Sequence, residues 1–167
     1  SQAVRPEMEA LARETGESVN LAVPLGREAL YLDQVEGTKL VRLFTAPGSR
    51  APLHATGVGK VFLAYLGVPE GLSLTPYTPH TLTRLPDLLR ELEAVRGRGY
   101  ALDNEEKELG VRCVAAPVFG ASGGVVAALS LSAPASRLSL EEAHRLAPRV
   151  VEAARRASLR LGYTGEV

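Results

Sequence analysis

Val111-Arg112-Cys113-Val114-Ala115-Ala116-Pro117-Val118-Phe119 and Val125-Val126-Ala127-Ala128-Leu129-Ser130-Leu131-Ser132-Ala133 are two apolar runs joined by Gly120-Ala121-Ser122-Gly123-Gly124. A short, Gly-rich connection between two strand-like runs is a hairpin signal, so the chain is expected to pair antiparallel here. A short strand over residues 100–103 leads into it. Upstream, residues 18–25 alternate Val19, Leu21 and Val23 with polar or small neighbours, Gly26-Arg27 turns the chain, and residues 29–35 run back. A third run is expected over residues 39–44, closing a meander. Helices are expected at residues 6–14, stopped by Gly16, at 56–66, and at 86–98, ended by Gly97 and Gly99, with a last one opened by Ser139 and Glu142 as a capping box and stopped by Gly162. Pro148 is expected to bend that last helix. The order α, three β, two α, three β, α predicts an α+β fold: one antiparallel sheet of about six strands with covering helices.

The composition narrows the function. With 167 residues, 19 basic and 19 acidic, the net charge is zero. A domain that grips phosphate backbones carries a basic excess, so this chain is not itself expected to hold nucleic acid. Aromatic residues are 5% with no Trp, which disfavours base-stacking platforms. Cys113 is the only cysteine, so no internal disulfide forms, in keeping with a reducing cytoplasm. No stretch approaches the roughly 18 apolar residues of a membrane span, and no membrane partner is expected.

Chemistry could sit in three places. Leu53-His54-Ala55-Thr56-Gly57-Val58-Gly59-Lys60 brings glycines to a helix start, where free backbone amides and the helix dipole favour an anion. It is not a nucleotide-binding P-loop, because His54 and Val61 stand where Gly and Ser or Thr are required. A small carboxylate suits the same amides; equally, the glycines could serve only close helix–sheet packing. Ser130 and Ser132 are two apart on one strand and so share a sheet face, either to hold a polar ligand or to meet solvent. Cys113 has no histidine tied to it by a motif, since His54, His80 and His144 are scattered, and it reads as a small buried hydrophobe. A metal site from Asp103, Cys113 and a histidine has no spacing signature. The acidic run 103–108 reads as a solvated loop and does not fit an EF-hand.

Taken together, four blocks carry a resemblance: Pro52 to Lys60 around the glycines, Arg98-Gly99-Tyr100-Ala101-Leu102-Asp103-Asn104-Glu105-Glu106, Glu108-Leu109-Gly110-Val111-Arg112-Cys113 through Val118, and Ala128-Leu129-Ser130-Leu131-Ser132-Ala133-Pro134. Their order and spacing resemble the effector-binding domain of the IclR family of bacterial transcriptional regulators over about residues 7–163. The resemblance implies a GAF-like α+β fold that binds a small organic or aromatic acid and controls a winged helix-turn-helix lying before Ser1. It divides the chain into the end of a linker helix (residues 1–15), an effector-binding domain (16–163) and a tail (164–167).

It further implies a site built from Gly57, Val58, Asp103, Cys113, Ser130 and Ser132, with Leu40 and Leu43 of the third strand on its apolar side. The amides would take a carboxylate, the serines its other oxygens, and Asp103 a hydroxyl or water, while Cys113 lines the pocket without reacting. Gly57 departs from the Ala or Ser of many members and is expected to enlarge the pocket. The implied partners are a small carboxylate effector, operator DNA through the preceding segment only, and further copies as a homodimer or homotetramer. No cofactor, metal or catalytic residue is expected. An enzyme using Cys113, or a dimerisation module with a vestigial pocket, are the competing readings.

Overall fold

A computed structural model describes residues 1–40 and 45–165. In chain order the elements are α1 (Arg5–Thr15), β1 (Ser18–Leu25), β2 (Glu28–Val35), β3 (Arg50–Pro52), α2 (Gly57–Leu66), α3 (Leu85–Arg98), β4 (Ala101–Asn104), β5 (Val111–Phe119), β6 (Val125–Pro134) and α4 (Leu140–Arg160). All strand pairs are antiparallel, and they form one six-stranded sheet in the order β3-β2-β1-β6-β5-β4. The expected α+β architecture is therefore the observed one. No helix among the described residues is long and apolar enough to cross a membrane.

Strand alternation sorts the core into two layers. Val19, Leu21, Leu102, Val114, Ala116, Leu129 and Leu131 face α1 and α4, which supply Met8 and Leu11, and Ala143, Ala147, Val150 and Ala154. On the opposite face Ala22, Ala29, Ala101, Ala115 and Ala128 meet Val58, Val61 and Phe62 of α2, backed by Leu88, Leu92 and Val95 of α3. Alanines on that face let α2 lie close to the sheet. The helix termini follow the local chemistry read from the sequence. Gly16 and Gly99 close α1 and α3 in the left-handed conformation, and Ser139 with Glu142 forms a capping box at α4. α4 runs on through Pro148.

Of the strand expected over residues 39–44, Lys39 and Leu40 lie in a bend and residues 41–44 are outside those described; among the described residues the edge strand beside β2 is Arg50–Pro52. The cause of the bend is Gly37. Its Cα sits so close to α1 that an added Cβ would lie 2.3 Å from the Gly16 carbonyl oxygen. The Thr38 and Lys39 amides then donate to that oxygen at 3.0 and 3.3 Å instead of pairing with β2. β3 and the residues just before it pair with β2, with Tyr31 donating to Ser49 O and Gly48 to Tyr31 O.

Candidate functional site

Cross-strand register assembles a polar patch on the α2 face. One row of opposed residues runs Asp103, Cys113, Ser132, Ser18, and the next row on the same face runs Ala101, Ala115, Ser130, Asn20, Gln34. The row after that is Pro117, Ala128, Ala22, Tyr31. A bulge in β2 skips Leu32 between the partners of Leu21 and Ala22, which puts both Tyr31 and Gln34 on this face. The sheet thus changes from small and apolar to polar within two rows, and the start of α2 stands at that border. An added Cβ on Gly57 would lie 3.1 Å from the Ala115 Cβ and 3.9 Å from the Cys113 Cβ.

The patch is buried and connected. Ser130 and Asn20 are only 2% and 1% exposed. Asn20 Nδ2 points at both serine hydroxyls at 3.4 Å, Gln34 Nε2 donates to Asn20 Oδ1 at 2.8 Å, and Cys113 Sγ lies 3.1 Å from Ser132 Oγ. The two long contacts leave the hydroxyls with donor and acceptor capacity to spare. Above them, Thr56 caps α2 by accepting from the Gly59 amide at 3.1 Å. Among the described residues no acceptor faces the Gly57 and Val58 amides, so the positive end of the helix is open to an anion.

Asp103 forms the far wall. It accepts from the Glu106 amide at 2.7 Å, and Glu105 between them has the positive φ of 57° that closes the turn. The acidic run is not the solvated loop its composition suggests. Asp103 and Glu106 are both buried, and the Glu106 carboxylate grips Lys60 Nζ at 3.0 and 3.1 Å and accepts from Asn104 N at 3.1 Å. Lys60 is wholly buried and also reaches Glu91 at 2.9 Å. Thr78 and Thr81 donate to the Glu105 and Glu106 carbonyls, and Arg112 holds Asn104 and Glu105 from outside. The turn is fixed from four directions.

Burial, with the nearby Glu106 charge adding to it, pushes the Asp103 carboxyl up to about 7 against the opposing backbone hydrogen bonds and Lys60. Burial likewise raises the Cys113 thiol and the Tyr31 hydroxyl, with Asp103 contributing to both, so neither is an activated nucleophile at neutral pH. The native state keeps the Asp103 proton to about pH 7, while the unfolded chain releases it near 3.8. Between those values the folded form holds more protons, so this group's contribution to stability falls as pH rises and levels off above 7. Urea unfolding from pH 4.5 to 8 is expected to show wild type losing stability relative to Asp103→Asn, by at most about 1.4 kcal/mol per pH unit.

Of the residues expected at a site, Gly57, Val58, Asp103, Cys113, Ser130 and Ser132 are brought onto one face. Leu40 is not: it sits in the bend and is 95% exposed, because the chain turns toward Gly16 there. Leu43 lies outside the described residues. Asn20, Tyr31 and Gln34 were not singled out from sequence. Asn20 left a signal, a polar residue between Val19 and Leu21, whereas the bulge that aligns Tyr31 with Gln34 left none. The histidines do not serve Cys113: His54 Nε2 bonds Thr75 O at 2.8 Å, and His144 Nδ1 bonds the Tyr100 hydroxyl at 2.8 Å. Lys60, in an ion pair, is not presented to a phosphate. Among the described residues no three His, Cys, Asp or Glu side chains converge as metal ligands.

The sequence pattern of the bacterial transcriptional regulator IclR C-terminal family matches residues 1–159. The chain belongs to this family. It is 40% identical over 159 residues to the HTH-type transcriptional regulator XynR of Escherichia coli, covering 92% of this chain and 63% of that protein. The chain thus spans less than two thirds of that curated relative. Among solved structures, the C-terminal domain of the E. coli transcriptional regulator KdgR superposes with a TM-score of 0.85 at 34% identity, over 97% of this chain and 98% of that one. The inducer-binding domain of the PobR transcription factor from Acinetobacter, a double mutant in complex with 3-hydroxybenzoic acid, gives 0.84 at 27% identity over 94% and 96%. These IclR-family relatives are regulators, not enzymes, and the raised thiol of Cys113 without a base agrees with them.

Proposed function

We propose that this domain is the metabolite-sensing part of a cytoplasmic transcriptional regulator, and that its effector is a small organic acid. The observation that carries the reading is a buried polar sheet face, Ser130, Ser132 and Asn20, beside a helix start whose Gly57 and Val58 amides meet no acceptor among the described residues. The serine hydroxyls are held within the face only by Asn20 at 3.4 Å and, for Ser132, by Cys113 at 3.1 Å, which leaves them hydrogen-bonding capacity for a ligand. An effector carboxylate takes the amides and the serine hydroxyls, and Asp103 orients a second polar group. The acid bound by the PobR domain supports this chemistry. Operator DNA is contacted by a segment preceding this domain, in a homodimer or homotetramer.

The route from site to linker runs through one junction. Ser18, opposite Ser132, accepts from the Gly37 amide at 3.1 Å, and Gly37 rests on Gly16 at the end of α1. Glu17 binds Lys39 at 3.0 Å and Arg137 at 2.8 Å, tying the same point to the loop before α4. An effector that favours one arrangement of this row shifts the population of α1 positions, and the differential affinity sets the size of the response.

The double variant Ser130→Ala/Ser132→Ala removes two hydrogen bonds to the ligand at roughly 0.5–1.5 kcal/mol each. It is expected to weaken binding of a small carboxylate about tenfold, measured by calorimetric titration on folded protein, and to lower the ligand-free melting temperature as well, because Asn20 Nδ2 loses both of its acceptors. Equal binding by variant and wild type would remove the serines from the site. A protonated Asp103 does not repel the effector, so affinity is expected to fall above pH 7.

A further inference from the structure

Gln34 carries the one buried side-chain nitrogen or oxygen among the described residues that has no hydrogen-bond partner, its Oε1. Its Nε2 is committed to Asn20 Oδ1 at 2.8 Å, and Asn20 is in turn directed at Ser130 and Ser132. Gln34, Asn20 and Ser130 are consecutive members of one cross-strand row, so the unsatisfied oxygen belongs to the polar face and not to the core behind it. A carboxamide oxygen only accepts, and closing it off from water without a donor is unfavourable. Such a position is filled when the ligand brings the donor.

We infer that Gln34 sets effector specificity by requiring a hydrogen-bond donor, so that the effector is a hydroxy acid rather than a plain carboxylic acid. This rests on the acid-sensing reading above and adds the second end of the ligand. The geometry also bears on the spacing of its two groups. The start of α2 stands over Ala115 and Cys113 of β5, and Gln34 lies on β2, three strand spacings or about 14 Å away along the sheet. The Gln34 amide leans back toward β1 through Asn20, which shortens that span. The donor therefore stands at the end of the ligand away from the carboxylate, as in a 3-hydroxyalkanoate or a hydroxylated aromatic acid. A ligand hydroxyl donates to Oε1 and leaves its own lone pairs for Tyr31, which the bulge places on the same face.

The test is calorimetric titration with two matched pairs, 3-hydroxybutyrate against butyrate and 3-hydroxybenzoate against benzoate, on wild type and on Gln34→Met, which keeps length and removes the acceptor. Wild type is expected to bind the hydroxylated member of at least one pair tenfold or more tightly. In Gln34→Met the two members of that pair bind with equal affinity; the readout is the ratio within the variant, because losing the Gln34 donor to Asn20 affects both members alike. Equal affinity within both pairs in wild type, or a preference that survives Gln34→Met, overturns the role of Gln34 while leaving the acid site standing. If none of the four acids binds wild type, the acid-sensing reading fails and this inference falls with it.

Discussion

Lys60→Met is expected to destabilise the domain by about 3–5 kcal/mol, the cost of removing one partner from a buried ion pair. Lys60 has no exposed surface, and its ammonium is surrounded by Glu106 at 3.0 Å and Glu91 at 2.9 Å. Without it, Glu106 is a carboxylate closed off from water whose remaining bond is from the Asn104 amide. Glu91 is 24% exposed in its side chain and still has Arg98 at 3.4 Å, so most of the penalty falls on Glu106. Urea unfolding at pH 7 measures the loss. The decisive comparison is Lys60→Met/Glu106→Gln, which removes the stranded charge but keeps an acceptor for Asn104 N. Recovery of a large part of the stability is expected; an equally unstable double variant would mean that Lys60 acts through packing alone. Because the Glu106 backbone amide donates to Asp103 Oδ1, Lys60→Met is further expected to loosen the wall of the polar site and weaken acid binding.

Gly59→Ala is expected to cost about 3 kcal/mol, at the upper end of what overpacking does. A Cβ at this position would stand 2.4 Å from the Leu53 carbonyl oxygen and 2.5 Å from its Cα, closer than atoms approach. Those are backbone atoms of the segment that leads from β3 into the helix, and they cannot swing aside as a side chain would. Helix propensity argues the other way, favouring Ala over Gly by about 1 kcal/mol inside a helix, so a measured loss isolates the steric term. Gly57→Ala is the control. Its Cβ meets only the Ala115 Cβ at 3.1 Å, a neighbour that needs to give by a few tenths of an ångström, and a much smaller change in melting temperature is expected. The glycines before Lys60 therefore divide their work: Gly59 lets the helix pack on the segment that leads into it, and Gly57 lets its start lie against β5 at the border of the polar face.

The larger part of the fold was written in local pattern. The runs on either side of Gly120–Gly124 differ from the observed hairpin by a residue, and the Ser139–Glu142 capping box and the left-handed Gly16 and Gly99 stand where the sequence puts them, because turns and caps are decided by residues within a few positions of one another. The same reasoning placed Ser130 and Ser132 on one face, since a strand has period two. It did not reach Thr38 and Lys39: an apolar run after a glycine reads as a strand, but these two amides are captured by the Gly16 carbonyl, more than 20 positions earlier, at a distance only Gly37 tolerates.

Sequence by itself determined the class of fold, the order of its elements and the residue types able to meet an acid, all of them consequences of short-range periodicity and composition. Tertiary structure alone decided which of those residues meet. Asp103, Cys113, Ser132 and Ser18 form one row only because four strands distant in sequence share a register, and Gln34 joins the next row only because a bulge shifts β2 by one residue. The burial of Lys60 with Glu106 has the same origin. A charge run on a turn and a lysine on a helix look solvated until the helix is laid over the sheet, and it is that packing that removes the water and makes the pairing obligatory.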